Sequence, residues 1–172
     1  MPEITVKHDI DCDEDTFWKE CVFNDGYNKK LYLETLRFPG YEVLESADTE
    51  TTRTRTIRID PPLTGIPGPI KKVMGDSFAY TEKGTFDKKT KRYTFTVTPS
   101  TMADKTHTSG ELWCETRGAP GEKKITRFAR IKVEVKVMMI GKMIEEKIIG
   151  DLKASYDAAA KFTNEWVKSR AK

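Results

Sequence analysis

The segment IKVEVKVMMIGKMIEEKIIGDLKASYDAAAKFTNEW, Ile131 to Trp166, begins as a strand-like alternation and passes almost without a break into a long helical repeat. Ile125, Ala129, Ile131, Val133, Val135 and Val137 share one strand face, and Thr126, Arg130, Lys132, Glu134 and Lys136 the other, so one side meets an apolar interior and the other water. From Met143 to Arg170, Ile144, Ile148, Leu152, Ser155, Ala159, Phe162 and Trp166 recur at helical steps on one face. Such a helix is about 42 Å long, comparable to a small domain's diameter. A chain of 172 residues fits one domain, spanning 1–172. The helix must therefore lie across the whole sheet.

The rest of the chain supplies that sheet. Ile4, Val6, His8 and Ile10 alternate as in a half-buried strand. Asp13 then reads as the N-cap of a short helix over DEDTFWKECVF, and YNKKLYLETLRF as a second, closed by Pro39-Gly40. YEVLESA, TTRTRTIRI, SFAYTEKGTF, RYTFTVTP, SGELWCETR and KITRFARIKVEVKVM follow as strands with hairpin-length connections, which implies an antiparallel meander. Asp60 to Gly75 interrupts the series with four prolines and three glycines. A connection of that length is often functional, and Pro69 to Met74 reads as a short helix within it. Lys168 to Lys172 reads as a frayed, solvated tail.

Composition and motifs exclude more than they assign. The 30 Lys+Arg against 27 Asp+Glu leave +3, with basic residues dispersed, which gives no electrostatic case for nucleic acid. The start MPEITVKHDID lacks a basic region followed by an apolar one, and no stretch reaches about 20 apolar residues, so the expectation is a soluble, cytoplasmic protein. Cys12, Cys21 and Cys114 read as buried free thiols. Neither His8 nor His107 lies in a nucleophile-base motif, and His8, on the face of Val6 and Ile10, reads as a satisfied core histidine with ligand contact as the alternative. No phosphate-cradling or dinucleotide fingerprint and no metal-ligand spacing is present, so no catalytic residue, metal or cofactor is expected. Glu145-Glu146 and Asp13-Glu14-Asp15 read as first-turn acidic residues beside helix N-termini.

One strand, two short helices, six antiparallel strands and a long C-terminal helix, with Val137 passing through Met138, Met139 and Ile140 to Gly141, resemble the START-like superfamily, also called SRPBCC or helix-grip proteins, and in particular bacterial-type START domains. The resemblance covers nearly the whole chain. It implies an α+β helix-grip fold, a curved antiparallel sheet of about seven strands wrapped around the long helix and an apolar cavity, with Gly150, Ala154, Ser155, Ala158, Ala159 and Ala160 leaving room along the helix. The function it implies is binding, and intracellular transfer, of a hydrophobic ligand: a lipid, fatty acid or sterol. A cyclase/aromatase-like enzyme and a protein-interaction module with a filled core are the alternatives, because fold alone does not settle function.

On that resemblance the cavity-lining set is Ile57, Tyr80, Phe86, Tyr93, Phe95, Leu112, Val133 and Val135 from the sheet, Met139 and Met143 near the helix start, and Leu152, Ser155, Tyr156 and Ala159 from the helix. Core packing is the competing account for each. Pro61 to Met74 becomes a gate, with Ile66, Ile70 and Met74 against ligand and Lys71 and Lys72 able to touch anionic headgroups in transient membrane contact. Arg53 and Arg55 share the apolar face of Ile57 and Ile59. Arg55 is placed at the cavity rim as a polar anchor, against the alternative of a strand end extending into solvent. A monomer is the default expectation.

Overall fold

The computed structural model describes residues 2–170. In chain order they form β1 (Glu3–Ile10), α1 (Glu14–Thr16), α2 (Asp25–Lys29), β2 (Gly40–Asp48), β3 (Thr52–Asp60), α3 (Gly68–Met74), β4 (Tyr80–Asp87), β5 (Arg92–Pro99), β6 (Thr106–Thr116), β7 (Ile125–Val135) and α4 (Gly141–Arg170). The strands make one antiparallel sheet in the order β1-β7-β6-β5-β4-β3-β2. Together with α4 on its concave side this is the expected α+β helix-grip architecture. No helix among the described residues is long and apolar enough to cross a membrane.

The local signals fall where the side chains require them. Asp13 caps α1 by accepting from the Thr16 amide at 2.8 Å, and Asn24 caps α2 through the Tyr27 amide at 2.9 Å. Both helices then widen into π-helical turns, Phe17–Val22 and Lys30–Thr35, where the Phe23 amide reaches the Trp18 carbonyl and Leu36 reaches Leu31. α3 begins one residue before Pro69, and β7 ends at Val135, two residues earlier than the alternation suggests. The tail expected to fray from Lys168 is helical through Arg170, whose guanidinium meets Glu20 at 2.7 Å; positions 171 and 172 lie outside the described residues.

α4 packs on β1, β7 and the second helical segment rather than across the middle of the sheet. It is pinned at both ends. Glu145 accepts from the Val135 amide at 2.9 Å, Asn164 brackets the end of β1 through the Asp11 amide and the Asp9 carbonyl, and Trp166 donates to the Glu20 carbonyl at 3.0 Å. Its buried residues are Gly141, Ile144, Ala159, Ala160, Thr163 and Val167. Gly150 and Ala154, counted above among the small residues leaving room inside, are exposed and face outward.

Two strand glycines shape the inner face. A Cβ at Gly84 would overlap the hydroxyl and ring of Tyr93, and one at Gly110 would overlap the Phe95 ring. Each aromatic side chain therefore lies down across the neighbouring strand instead of standing into the interior. Gly84→Ala is expected to destabilise the fold by about 1–3 kcal/mol, because Tyr93 is buried and must move. Gly150→Ala, with nothing near its Cβ and in mid-helix, should stabilise by about 0.5–1 kcal/mol. Urea unfolding of the two variants checks the opposite signs.

Candidate functional site: a polar cluster inside the sheet

Strand register puts the interior residues in rungs. Ile57 pairs with Glu82, Glu82 with Val97, Val97 with Thr108 and Thr108 with Val133; one rung on, Arg55, Gly84, Phe95, Gly110 and Ile131 are in line. Glu82 lies on the same strand face as Tyr80 and Phe86, so an acid and a base stand side by side on the apolar face.

The pair is built into the surrounding structure. Arg55 Nη2 is 3.8 Å from Glu82 Oε2, and the two side chains keep only 11% and 14% of their surface exposed. Tyr93, lying over Gly84, donates to Glu82 Oε2 at 2.9 Å and accepts from Arg55 Nε at 3.3 Å. Arg55 Nη1 donates at 2.5 Å to the carbonyl of Val22, where the first helical segment ends and its carbonyls lack helical partners. The guanidinium lies beside the edge-to-face pair of Phe23 and Tyr93, with ring centroids at 5.3 and 5.4 Å. Burial alone would weaken the charged form, but Tyr93 and Glu82 more than offset it and hold Arg55 above its ordinary pKa. Arg55 therefore lies neither at a rim nor in solvent; it is an interior group.

Four tyrosines converge on Glu82. Burial raises the phenols of Tyr32, Tyr80, Tyr93 and Tyr156, and the Glu82 charge raises each further. Tyr32, Tyr80 and Tyr156 come from the second helical segment, β4 and α4, so the cluster spans the space between helices and sheet. All three are half-buried despite lying deep in the fold. Among the described residues the hydroxyls of Tyr27 and Tyr93 bond to protein groups, whereas those of Tyr32, Tyr80 and Tyr156 do not and are not sealed off. A phenol enclosed by protein and still accessible faces an interior space. α4 lies against β1 and β7, at the opposite edge of the sheet from β2 and β3.

An apolar pocket of about 130 Å³ lies between the Asp60–Gly75 connection and the start of α4. Ile66, Ile70 and Met74 line it on one side and Ile144 and Ile148 on the other, with Thr101 and Thr106 between. The Thr101 and Thr106 hydroxyls are buried without partners.

The candidate residues separate into groups. Ile57, Phe86, Tyr93, Phe95, Val133, Val135 and Ala159 are buried core, and Ile70 and Met74 are buried from α3. Arg55, Tyr80, Leu112, Leu152, Ser155, Tyr156 and Ile66 are half-buried and remain the accessible inner set. Met139 and Met143 are corrected: they are 99% and 41% exposed, because β7 ends early and the turn into α4 projects outward. Glu82 and Tyr32 were missed, as was Arg127, which faces inward between Ile125 and Ala129 at 3% exposure. Arg127 Nη2 meets His8 Nδ1 at 2.7 Å and the Tyr156 carbonyl at 3.2 Å, while its Nε has no partner. Arg can only donate, so His8 accepts through Nδ1 and carries its proton on Nε2, donating to Asp157 at 2.6 Å.

The sheet order and the gripped helix define a START-like fold. Similar solved structures include TTHA0849 from Thermus thermophilus (TM-score 0.68, 14% identity, 99% of this chain and 100% of that one) and a START superfamily protein from Mycobacterium smegmatis (0.59, 13%, 97% and 97%). A third is norcoclaurine synthase from Thalictrum flavum in complex with dopamine and hydroxybenzaldehyde (0.63, 15%, 95% and 87%). At these identities the likeness concerns the fold. No curated protein matches the chain. The chain belongs to the family described as protein of unknown function (DUF2505), whose model matches residues 5–167.

Arg55→Ala should destabilise by about 3–5 kcal/mol by leaving Glu82 buried beside an empty space, and Arg55→Met with Glu82→Gln should recover most of that loss, as read by urea unfolding. A second expectation concerns alkali. All six tyrosines have raised pKa values, with Tyr27 and Tyr41 pushed up to about 12. The folded chain thus keeps protons that the unfolded chain releases above about pH 10, and stability should fall from there upward. Tyrosinate absorbance should rise together with unfolding seen by circular dichroism, not before it.

Proposed function

We propose that the protein binds a hydrophobic small molecule or lipid in the space between the inner sheet face and α4, and passes it on inside the cell. The observation that carries this reading is the set of enclosed, accessible, unpartnered phenol hydroxyls around an apolar-walled Arg55–Glu82 pair: groups that need partners, in a place where water is a poor substitute for ligand. The Asp60–Gly75 connection, whose α3 lines the apolar pocket, serves as the gate. Met138 and Met139, exposed just before α4, and Val73 with Lys71 and Lys72 on α3 lie at this same end and suit brief contact with an anionic membrane surface. The working form is a cytoplasmic monomer.

Native mass spectrometry with lipid extraction tests the reading. The expected result is a stoichiometric apolar adduct, or uptake of a fluorescent apolar probe, abolished in a folded Ser155→Trp variant that fills the space beside α4. An empty parent protein that takes up no probe would contradict it. A second reading, a cyclase-type enzyme, is favoured by Glu82 itself, since a carboxylate among phenols in an apolar site is acid-base equipment. Glu82→Gln would then abolish turnover while leaving probe binding intact.

A further inference from the structure

We infer that the interior site selects an uncharged ligand that donates a hydrogen bond, a phenol or alcohol on an apolar ring frame, and rejects both carboxylates and amines of the same shape. The inference rests on the binding reading above and narrows it.

The electrostatics set the first condition. Arg55 and Glu82 cancel one another, so a ligand ion of either sign would enter a low-dielectric space with its charge uncompensated. Arg55 is already committed to Glu82. Its Nε donates to Tyr93, Nη1 to the Val22 carbonyl, and Nη2, which makes no hydrogen bond within the protein, faces Glu82 at 3.8 Å, so an anion that reached Nη2 would meet that carboxylate as well. Arg53 is stacked on Phe23 at 4.7 Å, and Arg127 is sealed behind His8 and Tyr156. A fatty-acid carboxylate at this position would stand beside Glu82, charge against like charge.

Hydrogen-bond capacity sets the second condition. A carboxylate has about four acceptor positions. Glu82 uses Oε2 for Tyr93 and Arg55, and Oε1 has no hydrogen-bond partner among the described residues. The site's spare capacity thus includes an acceptor, Glu82 Oε1, beside the Nη2 donor of its own partner Arg55 and the hydroxyls of Tyr32, Tyr80 and Tyr156, which can donate or accept. A ligand hydroxyl satisfies both kinds at once: it donates to Glu82 and accepts from a phenol. The rings and Leu112 and Leu152 take its apolar frame.

Four probes of one shape test this: 2-naphthol, 2-naphthoate, 2-naphthylmethylammonium and 2-methylnaphthalene, titrated at neutral pH by calorimetry and ligand-observed NMR. The expected order has naphthol binding about tenfold tighter than methylnaphthalene, the factor of one buried hydrogen bond, and both ions weaker than either. Glu82→Gln should erase the naphthol advantage, and Tyr80→Phe and Tyr156→Phe, which keep ring shape, should reduce it if Glu82→Gln does not fold. Equal binding of all four, or tightest binding of either ion, would overturn the inference while leaving the container intact. Binding of none would overturn both.

Discussion

Arg55 and Glu82, paired on a face that otherwise meets apolar residues, are the constraint around which the structure is arranged. Removing two ions from water is tolerable only when the remaining donors and acceptors are matched. Three separate elements do the matching. Gly84 lacks a side chain so that Tyr93 can lie across β4 and reach both partners; the first helical segment stops at Val22 so that its carbonyl can take Arg55; and Phe23, the next residue, sets its ring against the guanidinium. The pair thereby fixes where the short helices sit on the sheet. Register and helix placement are coupled through one polar contact, which apolar packing alone would not specify.

The long helix has the complementary role. A straight rod of about 45 Å, the rise of 30 residues, cannot follow a curved sheet along its length. α4 follows β1 and β7, its small buried residues Ala159 and Ala160 allow the close approach, and Tyr27, Thr163 and Trp166 tie it to the helical segments. The inner face of the middle strands is met by long side chains from several directions and not by a second backbone layer. Tyr32, Tyr80 and Tyr156 arrive from three elements with their hydroxyls unspent, which is how a fold with an ordinary core also keeps a polar interior.

Much of this was legible in the sequence. Alternation located every strand, the three-four repeat located α4, and Asp13 and Pro69 marked helix starts by the chemistry of their positions. The polar cluster was less legible for a physical reason: an ion pair is a non-local event, and neither Arg55 nor Glu82 reveals its partner across two strands. Part of the signal was present, since Glu82 alternates with Tyr80 and Phe86, and Arg127 with Ile125 and Ala129. A charged residue on an apolar face is the informative exception, and passing over it hid both. The π-helical turns add a residue per turn that no hydrophobic period reports. Met139 and Met143 were assigned by their adaptable chemistry, which says nothing about where a turn points; the early end of β7 put them outside.

The most direct measurement of the central claim, an accessible interior bounded by sheet and helix, is methyl NMR of protein labelled at Ile, Leu and Val, with nuclear Overhauser contacts recorded to the protons of an apolar aromatic probe. Contacts to the methyls of Leu112 and Leu152, which lie on opposite walls, are predicted to appear together. Contacts confined to exposed methyls such as Val43 and Leu44, with Leu112 and Leu152 silent, would contradict the account and mean that the helix and sheet close on each other as core alone.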